Sequence, residues 1–344
     1  MFKTIDYREL KGDYVLVDVR SPEEYEEFTI PGAVNIPLFN NEERKIIGTV
    51  YNHESVDAAK KLGIDFASTH LPEIYEAISK LKNQHDNIVI FCERGGMRSS
   101  SICSLFNSIG LKVLKLSGGY KGYRSAVNEL LPKYNEKISY IVLHGHTGTG
   151  KTELLGLLEK EGCSVLDLEK AANHRGSLLG DVGLGKNVSQ KQFEAYIFDK
   201  LSKLKEQSVF VEAESSRIGN IVVPHYIMKS MKTGRHILVQ ASIAARVDRI
   251  VDEYVKGDDA EAEILGALEK LRRHISRERI DRYIRLVKEG GYREVAGELI
   301  EKYYDPMYYN EQKDFTFDMV INSDNIRHAC SEIINWKKQL QAND

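Results

Sequence analysis

A cysteine in a glycine-containing turn is the first feature of the sequence that could do chemistry. The apolar run 87–91 leads to Cys92, and Gly95 and Gly96 follow before a stretch of small residues. The run predicts a buried strand, and the small residues predict a helix that starts near Ser99. Backbone N–H groups of such a turn and the positive end of the helix favour a thiolate. The pattern therefore predicts a nucleophilic cysteine.

Two arginines follow this cysteine closely. Arg94 and Arg98 place guanidinium groups within a few residues of the thiol, where positive charge favours its anionic form. We predict Cys92, Arg94 and Arg98 as catalytic residues, with Gly95 and Gly96 as further candidates. The alternative is a small core cysteine beside solvated arginines.

A second glycine-rich loop has the pattern Gly-x4-Gly-Lys-Thr over residues 145–152. It follows the apolar run 139–143 and precedes a helical pattern over 153–159. Glycines let successive N–H groups point into one concavity, a lysine reaches terminal phosphates, and a threonine hydroxyl can bind Mg²⁺. The predicted phosphate-binding residues are Gly145, Thr147, Gly148, Gly150, Lys151 and Thr152. The alternative is a glycine-rich turn without a ligand.

Polar residues after the neighbouring strands are further candidates. Glu169 follows the predicted strand 163–166, and Glu212 follows the predicted strand 208–211. Carboxylates at strand ends beside a P-loop can hold a metal ion or its bound water, but solvated strand ends would look the same, and no metal ligand is assigned. His174, with Arg175 in a glycine-containing segment, is a candidate contact of an anion, and Arg217 is a further candidate.

Elements must position these residues. Apolar strands over 14–18 and 112–116 and a helical pattern over 71–81 alternate along the first part of the chain. Ser21, Pro22 and Glu24 predict a capped helix start. Such alternation predicts a parallel sheet with helices on both faces and ligands at the carboxyl ends of the strands, where Cys92 lies.

A polar segment containing proline, 131–137, precedes the strand of the second loop, and we place a domain boundary there. The predicted fold class is α/β. A parallel-sheet domain over 1–134 is followed over 135–344 by a P-loop α/β domain, whose C-terminal part is mostly helical from residue 244 onward.

The composition of the chain limits the classes of protein to which it can belong. The 344 residues are 42% hydrophobic and 29% charged, with a net charge of −3, and two domains are expected. The four cysteines lack paired spacing, so neither a disulfide framework nor a zinc site is predicted. No apolar stretch reaches membrane-spanning length, so we expect a cytoplasmic protein with no membrane partner.

A nucleic-acid partner of this acidic chain would need a local basic patch. Residues 269–288 contain eight Lys or Arg against three Asp or Glu, a local charge of +5. Arg272, Arg273 and Arg279 are predicted contacts of RNA phosphates, although a solvated helix face is the commoner cause of such a run. The aromatic cluster 303–309 could stack bases, hold an apolar chain or cap the core.

Four stretches together resemble a rhodanese domain: 18–20, 32–37, the Cys92 loop and 118–120. In that family the loop cysteine carries sulfur or selenium as a persulfide-type adduct. The Cys-x5-Arg-Ser pattern of 92–99 also matches cysteine phosphatases. Those enzymes usually have histidine before the cysteine, whereas this chain has Phe91, so a phosphatase is the weaker alternative.

A rhodanese domain ahead of a P-loop domain resembles the tRNA 2-selenouridine synthases along nearly the whole chain. One departure is Ala213, where an acidic residue is expected; it argues against a metal role that needs three carboxylates there. The matching stretches are 41–44, 48–51, 92–99, 145–152, 167–169, 172–177, 214–219 and 304–308.

The resemblance implies a transferase acting on 5-substituted 2-thiouridine at the wobble position of tRNA. The family attaches a geranyl group from geranyl diphosphate to the sulfur, then replaces the S-geranyl group with selenium from selenophosphate. The P-loop would bind the diphosphate, apolar and aromatic side chains the geranyl chain, and Cys92 would handle selenium. No tightly bound cofactor is implied, Mg²⁺ is compatible, and expected partners are tRNA and a selenophosphate supplier.

Two alternatives stay open. The chain could be a cysteine-dependent sulfurtransferase or phosphatase fused to an ATP-dependent kinase or NTPase, although no adenine or guanine selector is evident. It could also be a non-catalytic RNA-binding regulator, which would need neither a reactive thiol nor an intact Gly-Lys-Thr.

Overall fold

The computed structural model describes residues 2–174, 188–204, 206–256, 259–308 and 315–343. The chain forms two compact units. The first contains Met1–Leu131 and Ser189–Asp199, and the second contains Pro132–Val188 and Lys200–Asp344.

The first unit is built on a five-stranded, all-parallel sheet in the order β1-β5-β4-β2-β3. Strand β4 is central, and its last four residues are fully buried. The predicted parallel sheet is therefore confirmed. The strands are β1 (Lys3–Ile5), β2 (Tyr14–Asp18), β3 (Val34–Asn35), β4 (Asn87–Phe91) and β5 (Leu114–Leu116).

Five helices accompany this sheet: α1 (Pro22–Glu27), α2 (Asn41–His53), α3 (Val56–Lys82), α4 (Met97–Ser108) and α5 (Gly119–Asn135). The predicted start of α1 is confirmed, since the Ser21 N–H donates to the Glu24 carboxylate at 3.1 Å and Pro22 is the first helical residue. The helix predicted over 71–81 is only the end of α3. Helix α2 has no buried residue, so its sequence has little of the apolar periodicity from which a helix is predicted. Helix α5 also runs through most of the predicted linker.

The second unit has a five-stranded parallel sheet in the order β12-β11-β6-β8-β7, and β9 and β10 form a separate antiparallel pair. Strand β6 is central. Strand β12 lies in the region predicted as mostly helical, where its short run was missed. The strands are β6 (Ser139–His144), β7 (Val165–Leu166), β8 (Ser208–Glu212), β9 (Arg217–Ile218), β10 (Ile221–Val222), β11 (Arg235–Gln240) and β12 (Met319–Asn322).

Ten α-helices follow β6 in the part of the chain that the structure describes. They are α6 (Lys151–Lys160), α7 (Leu168–Ala172), α8 (Gln190–Ser202), α9 (His225–Lys232), α10 (Ile243–Tyr254), α11 (Ala260–Lys270), α12 (Arg277–Lys288), α13 (Tyr292–Leu299), α14 (Asp305–Tyr308) and α15 (Ile326–Asn343). A π-helical segment, Ile300–Tyr304, links α13 to α14.

Most of α8 belongs to the first unit. Its Phe198 ring lies 6.0 Å from the ring of Tyr7 and 6.1 Å from that of Tyr123, and Glu194 forms an ion pair with Arg124. Lys191 lies over an aromatic ring of the same unit. A segment that follows the P-loop in the chain thus completes the first unit.

Separate cores lie against the two sheets and among the helices α11–α13. The basic segment 269–288 has a buried face, since Leu271, Ile280, Tyr283 and Val287 are each 1% exposed or less. Among the described residues, no helix is both long and apolar enough to cross a membrane.

Candidate active site

The Cys92 loop packs against the glycine-containing turn 118–120. The Cys92 carbonyl accepts a hydrogen bond from the Tyr120 N–H at 2.9 Å, and Lys115 Nζ donates to the Gly95 carbonyl at 3.0 Å. Gly119 has a φ of +58°, and a Cβ there would clash with the Cys92 carbonyl and lie 2.5 Å from the Gly95 nitrogen. Only glycine allows this close approach, so the predicted loop residues and 118–120 form one rigid piece.

The thiol lies at the start of α4, as predicted. Cys92 is 3% exposed, and its Sγ lies 3.2 Å from Oγ of the fully buried Ser99. The hydroxyl can donate to a thiolate, or accept from a thiol. The sequence did not single out Ser99 for this role, although its position seven residues after the cysteine, in the first turn of α4, was available as a signal.

The surroundings of Arg94 and Arg98 differ from the predicted arrangement, in which both guanidinium groups act on the thiol. Arg98 forms two hydrogen bonds with Glu24, at 2.6 and 3.1 Å, and Arg44 Nε lies 3.4 Å from the same carboxylate. Burial opposes ionisation of Glu24, but the bonds from Arg98 outweigh it and lower the pKa to about 2. Arg94 is exposed. The charge of Arg98 is thus balanced by Glu24, and its action on an anionic donor or adduct stays a prediction.

The P-loop connects β6 to α6 as predicted. Gly148 and Gly150 have φ values of +79° and +83°, and a Cβ on Gly145 would lie 2.5 Å from the Val239 carbonyl oxygen. Lys151 Nζ donates to the Gly145 carbonyl at 2.9 Å, so the lysine folds back over the loop. The loop therefore presents N–H groups at a helix start with a lysine beside them.

Three carboxylates meet beside Lys151 and Thr152. Oxygens of Glu169, Glu212 and Glu214 all lie within 4.8 Å of one another. Glu212 is 2% exposed and hydrogen-bonds the Thr152 hydroxyl, while its Oε1 has no partner.

Burial, together with the charge of Glu169, raises the pKa of Glu212 to about 8, and Lys151 opposes this shift. Burial and repulsion from neighbouring carboxylates raise the pKa of Glu169 and Glu214 as well. The cluster therefore holds protons near neutral pH. Carboxylate and hydroxyl oxygens, one of them buried and unpartnered, fit a hard cation such as Mg²⁺.

The sequence predicted Glu169 and Glu212 as candidates but not Glu214. Ala213 argued against a metal role that needs three carboxylates within 212–214; the structure brings Glu169 to this place as a third carboxylate, and a metal role stays a prediction. Alternate residues of an extended segment face the same side, so the spacing of Glu212 and Glu214 was the available signal.

Two of the remaining candidates, His174 and Arg217, lie at or near β9. The half-buried His174 ring lies against Gly219, where a Cβ would be 2.8 Å from its Cδ2 and where φ is +56°. Arg217 is exposed. Arg175 lies outside the described residues. His174 therefore packs on the turn between β9 and β10.

An apolar pocket adjoins the P-loop. Its cavity volume is about 80 Å³. Thr147 of the P-loop forms part of its wall, and Tyr304 from the predicted aromatic cluster forms another part. The remaining lining comes from α10 to α13 and the π-helical segment, including Ile250, Val251, Leu268, Val295, Leu299 and Ile300.

The predicted RNA contacts are not equivalent. Arg272 forms ion pairs with Glu269 and with Asp281, the latter at 2.6 Å. Arg273 and Arg279 are exposed. The charge of Arg272 is therefore balanced by two carboxylates that the net count of +5 already includes, whereas Arg273 and Arg279 present their charges at the surface.

Comparison with known proteins covers both units. A family model described as tRNA 2-selenouridine synthase AAA domain matches residues 138–342, and one described as Rhodanese-like domain matches residues 6–126. A tRNA 2-selenouridine synthase of Pseudomonas fluorescens is 31% identical over 88% of this chain and 90% of its own. Such a protein of Nitrosomonas europaea is 32% identical over 71% and 64%, and one of Hydrogenovibrio crunogenus is 30% identical over 92% and 95%.

Proposed function

Because the chain belongs to the tRNA 2-selenouridine synthase family, we propose that it is a transferase acting on 2-thiouridine at the wobble position of tRNA. It moves a geranyl group from geranyl diphosphate to the sulfur of the base. It then replaces the S-geranyl group with selenium from selenophosphate.

The apolar pocket beside the P-loop is the observation that carries this proposal. Its wall is shared with the P-loop through Thr147, so one ligand can present phosphates to the loop and an apolar chain to the pocket. A nucleoside attached to those phosphates would bring polar ring edges that an apolar wall leaves unpaired. A prenyl diphosphate has the complementary chemistry at both ends.

In the first step, the 2-thio sulfur forms a bond to C1 of the geranyl group. The C1–O bond breaks, its electron pair leaves with the diphosphate, and the base loses its N3 proton. Lys151 exchanges its hydrogen bond to the Gly145 carbonyl for one to the diphosphate. Its positive charge then balances the negative charge that develops on this leaving group. Mg²⁺, held by Thr152 and the three glutamates, would add positive charge there when bound.

In the second step, selenium of selenophosphate bonds to C2 of the base as the C2–S bond breaks and geranyl thiol leaves. Hydrolysis of the Se–P bond then frees phosphate and 2-selenouridine. We assign Cys92 to this step, because its loop offers a thiol and backbone N–H groups at a helix start, beside Ser99.

The test is product formation by the full chain from geranyl diphosphate, and separately from tRNA that already carries S-geranyl-2-thiouridine, with and without ATP. Lys151→Ala should slow geranylation on the order of 10²-fold or more, the usual loss for one charge-stabilising donor. Selenation of the pre-geranylated tRNA should be largely retained. Lys160→Ala, at the other end of α6, is the control and should leave both steps unchanged.

The kinase or NTPase alternative predicts otherwise. It requires ATP turnover in step with product and loss of that turnover in Lys151→Ala. Strict ATP dependence of geranylation, or undiminished geranylation by Lys151→Ala, would overturn this assignment of the P-loop.

A further inference from the structure

A buried arginine lies directly beneath the P-loop. Arg246 of α10 is 4% exposed, and its Nε donates to the Thr147 carbonyl at 2.8 Å. Its two terminal nitrogens donate to the two oxygens of Asp305, at 2.9 and 2.6 Å. Gly148 fits against the same residue, since a Cβ there would lie 2.9 Å from the Arg246 carbonyl oxygen. One side chain thus binds the loop and a carboxylate 59 positions away in the chain.

Asp305 makes a second connection to the loop. One of its oxygens lies 3.1 Å from Nδ1 of His146, which precedes Thr147. Burial opposes ionisation of Asp305, but hydrogen bonds and charge from Arg246 outweigh it, so the pKa lies below its usual range. Two consecutive P-loop residues are therefore attached to one ionised carboxylate and its arginine.

Asp305 directly follows, in the chain, a residue that lines the apolar pocket. Asp305 begins α14 directly after the π-helical segment, in which Ile300 and Tyr304 line the pocket. A π-helical turn is rare and is often found at functional sites. The chain therefore passes from the pocket wall to the P-loop attachment within one residue.

We propose that Arg246 and Asp305 form a positioning pair, which sets the P-loop and the apolar pocket at the spacing that one prenyl diphosphate spans. This inference rests on the proposed function. A donor gains affinity from binding at both of its ends only if the two subsites are held at the right spacing. The free-energy cost of aligning the two subsites is then included in folding rather than in binding. A pair that only stabilised the fold would lower affinity for every P-loop ligand alike.

The experiment is calorimetric titration of the full chain with geranyl diphosphate, dimethylallyl diphosphate and inorganic pyrophosphate. Asp305→Asn keeps the side-chain shape and removes the charge. The double variant Arg246→Met/Asp305→Leu removes the pair without leaving an unpaired buried charge, and so protects the test against misfolding. Lys302 lies on the π-helical segment and forms an exposed ion pair with Glu298. Lys302→Ala removes this ion pair and is the matched control.

Both pair variants should bind geranyl diphosphate about tenfold or more weakly, while their affinity for pyrophosphate stays within about twofold of wild type. Dimethylallyl diphosphate, whose chain reaches less of the pocket, should lose less. Lys302→Ala should match wild type with all three ligands.

An equal loss of affinity for geranyl diphosphate and pyrophosphate would overturn the proposal, and so would no loss for either. A wild type that binds geranyl diphosphate no better than pyrophosphate would instead overturn the proposed function, and this inference with it. The two failures are therefore distinguishable.

Discussion

The Cys92 loop and the P-loop have the same architecture but are surrounded by different side chains. Each follows the central strand of a five-stranded parallel sheet, turns on glycines and leads into a helix. At the first loop, Glu24 balances Arg98, and a thiol lies at the helix start. At the second, three carboxylates surround a lysine and a threonine. The backbone supplies N–H groups in both places, so the chemistry is decided by the side chains around them.

The strands leading into the two loops also differ. The last residue of β4 is the fully buried Phe91, whereas the last residue of β6 is His144, 7% exposed, whose Nε2 lies 2.9 Å from Nδ1 of His236. One loop follows an apolar residue that has one protonation state. The other follows a buried group that can gain a proton.

Removal of the thiol should have the largest effect. Cys92→Ser is expected to abolish selenium incorporation while geranylation continues, because only the selenium step is assigned to this loop. Mass spectrometry of wobble nucleosides from a deletion strain expressing the variant measures both products. Cys163→Ser, at a half-buried cysteine whose pKa is raised by burial, is the control. Wild-type levels of 2-selenouridine from Cys92→Ser would contradict the assignment.

The protonation difference should appear in stability. Burial, with repulsion from His236 and Lys151, lowers the pKa of His144 to about 4. Its contribution to stability is complete above the unfolded pKa of about 6.5 and is lost as pH falls through 4, on the order of 3 kcal/mol in all. Denaturant titrations of wild type and His144→Phe over this range should show a smaller decline in the variant, because only the contributions of other groups remain. His328→Gln, at an exposed histidine of α15, should keep the wild-type slope; an equal decline in His144→Phe would be contrary evidence.

The smallest expected effect concerns the basic segment. Arg273→Ala/Arg279→Ala should weaken tRNA binding modestly and reduce the salt slope of log K by about 2, because both side chains are exposed. Arg272→Ala should change the slope less, since Glu269 and Asp281 already balance its charge. Filter binding at several salt concentrations measures both. An unchanged slope in the double variant would favour a solvated helix face.

The sequence was sufficient for features that depend on local patterns. Strand–loop–helix order, glycine spacing and the capping box predicted both loops and the start of α1, because each is encoded within a few consecutive residues. Pairings distant in the chain could not be predicted in this way. Arg98 lies 74 positions from its partner Glu24, and Arg246 lies 59 positions from its partner Asp305. Hydrophobic periodicity gives no information about pairs at such separations. Of the apolar lining of the pocket, only the aromatic cluster 303–309 was a candidate from the sequence, because the other lining residues follow the same spacing as a filled core.

The contribution of α8 to the first unit has a consequence for synthesis on the ribosome. The rings of Tyr7 and Tyr123 receive their contact with Phe198 only after residues 132–199 have been made. At the usual elongation rates of about 5–20 residues per second, this takes about 3 to 14 s. During that interval β6 and the P-loop emerge while an aromatic surface of the first unit is still uncovered. The first unit is therefore expected to complete its packing only after residue 199 has left the ribosome.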